Sequence, residues 1–182
     1  MKYEEKTIDK KEIYKGGIID VGVITVKLPD GREATRDIVF HPGASVVIPI
    51  NEDGEIYMVR QYRKAVERVL LELPAGKLDE GESPEVCAKR ELKEETGLEA
   101  GFLKHIISIH STPGFCNEIL HMFLASQLTQ GKVCADKDEF ITVEKYPAKT
   151  LVNMIFNHEI TDAKSIIGIL IADRILKGDI LL

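Results

Sequence analysis

The stretch Gly76-Lys77-Leu78-Asp79-Glu80-Gly81-Glu82-Ser83-Pro84-Glu85-Val86-Cys87-Ala88-Lys89-Arg90-Glu91-Leu92-Lys93-Glu94-Glu95-Thr96-Gly97-Leu98 decides how this chain is read. Its second half is punctuated as a helix. Ser83 is a good N-cap, Pro84 suits the first helical position, where its missing N–H costs nothing, and Gly97 suits the C′ position. At about 100° per residue, Glu91, Glu94 and Glu95 share one arc, at i, i+3 and i+4. Like charges so placed repel by roughly 0.2–0.5 kcal/mol per pair. Glu94 and Glu95 also fall in the last turn, where the helix dipole is negative. A divalent cation would remove both penalties.

Taken alone, E-x-x-E-E also suits a solvated helix, with Glu85–Lys89 as a favourable pair and Arg90 and Lys93 offsetting the acids. Ala88 and Leu92 give that helix a narrow apolar strip. The wider spacing separates the two readings: Gly76, five residues, Glu82, seven residues, then Arg90 to Leu98. This pattern resembles the Nudix box and keeps every one of its fixed positions. That family hydrolyses nucleoside diphosphates linked to another moiety, using magnesium or manganese. The resemblance implies that Glu91 and Glu95 are the principal metal ligands, with Glu94 beside them and the Ala75 carbonyl as a further ligand. It implies that Arg90 and Glu82 orient the carboxylates.

Outside the box, Pro113 lies sixteen positions beyond Gly97, within Ser111-Thr112-Pro113-Gly114-Phe115-Cys116-Asn117-Glu118. A proline at that distance resembles the marker of the ADP-ribose pyrophosphatase branch. His41-Pro42-Gly43-Ala44, Arg60-Gln61-Tyr62-Arg63 and Leu71-Glu72-Leu73-Pro74-Ala75-Gly76-Lys77-Leu78 look like that branch too. An arginine can meet two phosphate oxygens with parallel N–H bonds, which suits a diphosphate. The resemblance implies Arg63 as a substrate contact, Arg36 reaching a site across a dimer interface, Pro113 and Gly114 lining the substrate, and Glu118 approaching the terminal ribose hydroxyls. Family members often draw their base from an acidic loop, here Asp136-Lys137-Asp138-Glu139, with Glu139 first and Asp138 second. A mobile loop can bring such a base within hydrogen-bond reach of the attacking water.

The remaining pattern is mixed. Tyr14 to Leu28 and Arg32 to Phe40 flank Pro29-Asp30-Gly31 and read as a β-hairpin; His41-Pro42-Gly43 then breaks the chain. Strands are expected over Ala44–Ile50, Glu55–Tyr62, Val69–Leu73, Phe102–Thr112, Glu118–Ser126 and Phe140–Tyr146. Two helices should close the chain, one around Leu151 and Ile155, the other over Asp162–Leu176 with Ile166, Ile169, Leu170 and Ile175 on its apolar side. The expected fold is α/β, an α/β/α sandwich of Nudix type with a mixed sheet plus an N-terminal antiparallel hairpin unit. The expected domains are an N-terminal dimerisation unit over 1–41 and a hydrolase domain over 42–182.

Composition narrows the function. A chain of 182 residues with 44% hydrophobic content suits a single globular core. A net charge of −6 and a pI near 5.4 argue against a surface that coats nucleic acid. Cys87, Cys116 and Cys134 are odd in number and lack C-x-x-C spacing, which fits a reduced cytoplasm better than a disulfide framework or a zinc site. Cys87 reads as packing rather than as a nucleophile. The N-terminus is too charged for a signal peptide, and the longest apolar stretch, Ile166 to Ala172, is far short of the ~20 residues that span a bilayer. The resemblance thus implies a cytoplasmic, homodimeric enzyme that uses Mg²⁺, or Mn²⁺, to cleave ADP-ribose to AMP and ribose 5-phosphate. Its rivals are another nucleotide sugar such as GDP-mannose, a dinucleoside polyphosphate or an oxidised nucleotide as substrate, or a sensing module that binds without turnover. The retained motif glutamates weigh against the last.

Overall fold

The computed structural model describes residues 2–131 and 140–181. They divide into two compact units. One runs up to Gly43 and takes in His110–Ile119; the other holds Ala44–Ile109 and the chain from Leu120 onward.

The first unit is a three-stranded antiparallel sheet of β1 (Lys6–Lys15), β2 (Asp20–Lys27) and β3 (Glu33–Phe40), in that order. The hairpin expected around Pro29-Asp30-Gly31 is β2–β3, running from Lys27↔Glu33 to Asp20↔Phe40. Strand β1 was not expected, and the strand read from Tyr14 is broken at Gly16-Gly17. The reason is visible in burial: every residue of β1 is exposed, so no apolar alternation marks it. It forms because the outer edge of β2 offers backbone groups that need partners. The loop carrying Pro113 and Gly114 is stitched to the end of β3. Val39 N donates to Phe115 O at 2.7 Å, Asn117 N to Val39 O at 3.2 Å, and His41 N to the Asn117 side chain at 2.7 Å.

The second unit is built on a mixed sheet ordered β7 (Ala75–Lys77), β4 (Ala44–Pro49), β9 (Ile119–Gln130), β8 (Leu98–His110). Strand β4 runs antiparallel to β7 and parallel to β9. A second antiparallel sheet joins β10 (Thr142–Pro147), β5 (Glu55–Arg63) and β6 (Arg68–Glu72). Strand β4 is buried on both faces, and its alternation assigns the layers. Val46 and Ile48, with Met122 and Leu124, pack towards Leu151 of α2 (Ala148–Phe156) and Ile169 and Ala172 of α3 (Ala163–Leu176). Val47, with Phe123 and Ala125, packs instead on Ala88 and Leu92 of α1 (Pro84–Thr96). The result is the expected α/β/α arrangement.

Helix α1 begins and ends where its sequence says. The Ser83 hydroxyl accepts from Val86 N, and Gly97 closes the helix at φ 70° with its N–H on Lys93 O. Fully burying Leu92 contributes roughly 1.5–3 kcal/mol, which outweighs the roughly 0.2–0.5 kcal/mol lost at each acidic pair. Packing therefore holds the acidic arc in place. Helix α3 differs from expectation on one face. Its buried residues are Ser165, Gly168, Ile169, Ala172 and Asp173, while Leu170 stays 37% exposed. The helix docks through small residues: a Cβ added at Gly168 would lie 2.4 Å from a Leu73 methyl. Hydrophobic periodicity finds large side chains and misses such close approach. Among the described residues, no helix is long and apolar enough to cross a membrane.

Candidate active site

The motif helix and the short strand β7 meet at the carboxylates. A Cβ placed on Gly76 would fall 1.8 Å from Glu91 Oε1, so the carboxylate occupies the space a side chain would need. Ala75 N donates to Glu95 Oε2 at 3.0 Å. Glu91 is 9% and Glu95 3% exposed, and carboxylates so buried persist only with partners. Arg90 is the hub. Its Nη1 donates to Glu91 Oε1 at 2.6 Å and Glu94 Oε2 at 3.0 Å, its Nε and Nη2 grip the two oxygens of Glu82 at 2.9 Å each, and Nη2 also reaches Lys77 O at 3.1 Å.

These contacts set the protonation states. The Arg90 fork pulls the Glu82 carboxyl down to about 2, overcoming its burial, with help from the Asp79 N–H. Glu82 in turn pushes the Arg90 guanidinium further up, so it stays charged. Burial raises the Cys87 thiol to about 11, leaving it inert against the carbonyls of Gly76 and Lys77, as packing rather than nucleophile. Because the folded pKa of Glu82 lies below its unfolded value of 4.5, its stabilisation is complete above that pH and is lost as pH falls towards 2. Urea unfolding of the wild type and Glu82→Gln should differ near neutrality and converge in this acid window. A gap that stays constant into acid would refute the assignment.

Arg63 lies elsewhere in the same unit, at the end of β5. Its Nε and Nη2 donate to the two oxygens of Glu72 at 2.8 Å each, and it feels the negative charge of Glu95. The sequence reading missed Glu72 and its second cation, Lys164. One signal was there: a lone acid between Leu71 and Leu73 in a strand leading into Pro74-Ala75-Gly76. Arg36, Pro113, Gly114 and Glu118 belong to the first unit. Arg36 is held by Glu5 through bonds of 2.6 and 3.0 Å. Pro113 and Gly114 form the turn closed by Cys116 N on Thr112 O at 3.1 Å. Glu118 stands 3.4 Å from His41 Nδ1, but that nitrogen accepts the Gly43 N–H at 3.0 Å and so cannot also donate to the carboxylate. Asp138 and Glu139, expected to supply the base, lie outside the described residues.

Residues 39–166 match the NUDIX domain family. The chain belongs to the Nudix family. It is 44% identical over 164 residues to an ADP-ribose pyrophosphatase of Bacillus subtilis (strain 168), covering 89% of each chain. It is 41% identical over 169 residues to a methanol dehydrogenase activator of Bacillus methanolicus, covering 92% of this chain and 91% of the other. Its fold superposes on a solved ADP compounds hydrolase with a TM-score of 0.85, over 97% of this chain and 96% of that one, at 20% identity.

The donor set of this Nudix chain suits a hard cation. Glu91, Glu94, Glu95 and the backbone of Ala75 offer oxygen alone, and Mg²⁺ takes one or two carboxylates with water and phosphate oxygens completing its octahedron. Among the described residues, no three His, Cys, Asp or Glu side chains are gathered tightly enough to hold an ion by themselves. Arg90 and the Ala75 N–H occupy carboxylate oxygens instead.

Proposed function

We propose that this protein hydrolyses the pyrophosphate bond of ADP-ribose to AMP and ribose 5-phosphate, with Mg²⁺ or Mn²⁺ held by Glu91, Glu94, Glu95 and the Ala75 carbonyl. One observation supports the reaction class: the Glu91 carboxylate is seated on the Gly76 backbone while Ala75 N–H fixes Glu95, so both carboxylates are held against the same short strand. Support for the substrate comes from the 44% identical relative named ADP-ribose pyrophosphatase. When bound, Mg²⁺ supplies neutralisation of the diphosphate and a water of lowered pKa. Arg90, braced by Glu82, keeps the Glu91 and Glu94 carboxylates oriented. Arg63 binds diphosphate oxygens, Pro113 and Gly114 line the substrate, and Glu118 accepts from the terminal ribose hydroxyls. Glu139, with Asp138 as second choice, takes the proton of the water that attacks phosphorus in line. No covalent intermediate is required.

Product analysis after incubation with ADP-ribose and Mg²⁺ tests this, with GDP-mannose, a dinucleoside polyphosphate and an oxidised nucleotide run in parallel. AMP with ribose 5-phosphate is the expected outcome. A preference of about tenfold or more in kcat/KM for another substrate would displace ADP-ribose, and binding without turnover would displace the enzyme.

The working form is a cytoplasmic homodimer in which the unit over 1–41 packs on, or swaps with, a second copy while 42–182 carries the chemistry. Supporting this, Ile8, Ile13 and Tyr14 of β1 all stand in solvent, and Arg36 on the same sheet would reach the second subunit's site. Sedimentation at micromolar concentration should give a dimer; a monomer there counts against the arrangement.

A further inference from the structure

Glu72 is 1% exposed and lies outside the Nudix box. Its neighbours explain how it stays anionic. Arg63 grips both its oxygens across the β5–β6 ladder, and Lys164 Nζ bonds Oε2 from the first turn of α3. Lys164 also holds Asp162 Oδ2 at 2.9 Å, the carboxylate that caps α3. Ser165 Oγ accepts from Leu73 N at 2.7 Å and donates to Asp162 Oδ2 at 2.6 Å. Burial raises the Glu72 carboxyl, but Arg63 and Lys164 outweigh it and bring it below the ordinary carboxylate range.

Stability alone does not account for this arrangement, since a buried ion cluster often gains nothing over apolar packing of the same volume. What it does is fix a direction. Two of the three guanidinium nitrogens of Arg63 are committed to Glu72, while among the described residues Nη1 makes no hydrogen bond. The side chain is 40% exposed. A planar fork clamped along one edge presents its opposite edge, Nη1 with the second Nη2 proton, at a set angle. Two residues beyond Leu73, which the same network holds, Ala75 N–H binds Glu95.

We infer that Glu72 is a positioning residue: it locks the guanidinium of Arg63 so that its outer edge meets the diphosphate of the substrate, while α3, through Lys164 and Ser165, anchors the strand that delivers Ala75. The inference rests on Arg63 being a substrate contact, as in the reading above. Without Glu72 the guanidinium regains its rotamers and must be ordered by each substrate that binds. The loss falls on binding shared by ground and transition states, so KM changes and kcat does not.

A double-mutant cycle tests it, run on whichever nucleotide the wild type turns over, with thermal unfolding of each variant alongside. Glu72→Gln should raise KM about tenfold with kcat within about twofold, and Arg63→Gln should raise KM at least as much. In the Arg63→Gln background, Glu72→Gln should have no further effect on KM, because the group it orients is gone. An equal KM penalty from Glu72→Gln in both backgrounds overturns the inference, as does a fall in Tm with KM unchanged. If Glu72→Gln does not fold, Glu72→Asp, which keeps the charge on a shorter arm, is judged by the same outcomes. An Arg63→Gln enzyme with normal KM removes Arg63 from the substrate site and the inference with it, leaving the hydrolysis itself standing. Failure of the wild type to cleave ADP-ribose strikes the substrate assignment alone.

Discussion

Glu95→Gln and Glu91→Gln should each lower turnover at fixed Mg²⁺ by about a hundredfold or more, the scale seen when one preorganised charge-stabilising group is removed from an active site, while leaving the fold intact. Glutamine keeps the volume of glutamate and can still accept the Ala75 N–H that Glu95 Oε2 receives at 3.0 Å. It can likewise accept from Arg90 Nη1 in place of Glu91 Oε1. What it cannot offer is a negative oxygen to a hard cation, so the loss falls on metal affinity and on charge neutralisation at the diphosphate. Thermal unfolding without Mg²⁺ should therefore be near that of the wild type, with the two proteins separating as Mg²⁺ is added. Near-normal turnover in either variant would remove that residue from the metal site.

Gly76→Ala should be nearly as damaging to turnover and should also destabilise the fold. The added methyl would lie 1.8 Å from Glu91 Oε1, 2.0 Å from Cδ and 2.4 Å from Oε2, where no carbon can sit. The carboxylate must leave, breaking its 2.6 Å bond to Arg90 in a site where Glu91 is only 9% exposed. Overpacking of this kind costs about 1–3 kcal/mol, and the displaced glutamate no longer rests on the Gly76 backbone. Shortening the opposing side chain separates the two effects. Gly76→Ala with Glu91→Ala should recover much of the stability and none of the turnover. A Gly76→Ala enzyme that works within about twofold of the wild type would show that the close approach is incidental to the chemistry.

The acidic helix was legible because its signals are local. Ser83, Pro84 and Gly97 set its ends through backbone geometry, and the glutamates at i, i+3 and i+4 share a face by the helix repeat alone. The hairpin around Pro29-Asp30-Gly31 and the doubly buried strand from Ala44 were legible for the same reason. Strand β1 was not, because its ten exposed residues carry no pattern and only the open edge of β2 recruits it. Nor was the docking face of α3, where Gly168 and Ala172 matter more than Leu170. At the site, the motif located the carboxylates and, in Arg90 and Glu82, part of what restrains them. The orienting role of Arg90 and Glu82 was implied by the resemblance, and Arg90 is the hub between Glu82, Glu91 and Glu94. The link from Glu72 to Lys164 joins residues ninety-two positions apart.

The sequence by itself determined the family, the helix that carries the acids and the hard-oxygen chemistry they offer, since spacing along one helix is a property of neighbouring residues. Only the tertiary structure decided that Glu91 rests on the Gly76 backbone, that Glu95 is tied to Ala75, and that Glu72 clamps Arg63. Those contacts arise where distant segments pack, and burial in that packing makes an unpartnered charge too costly to leave alone.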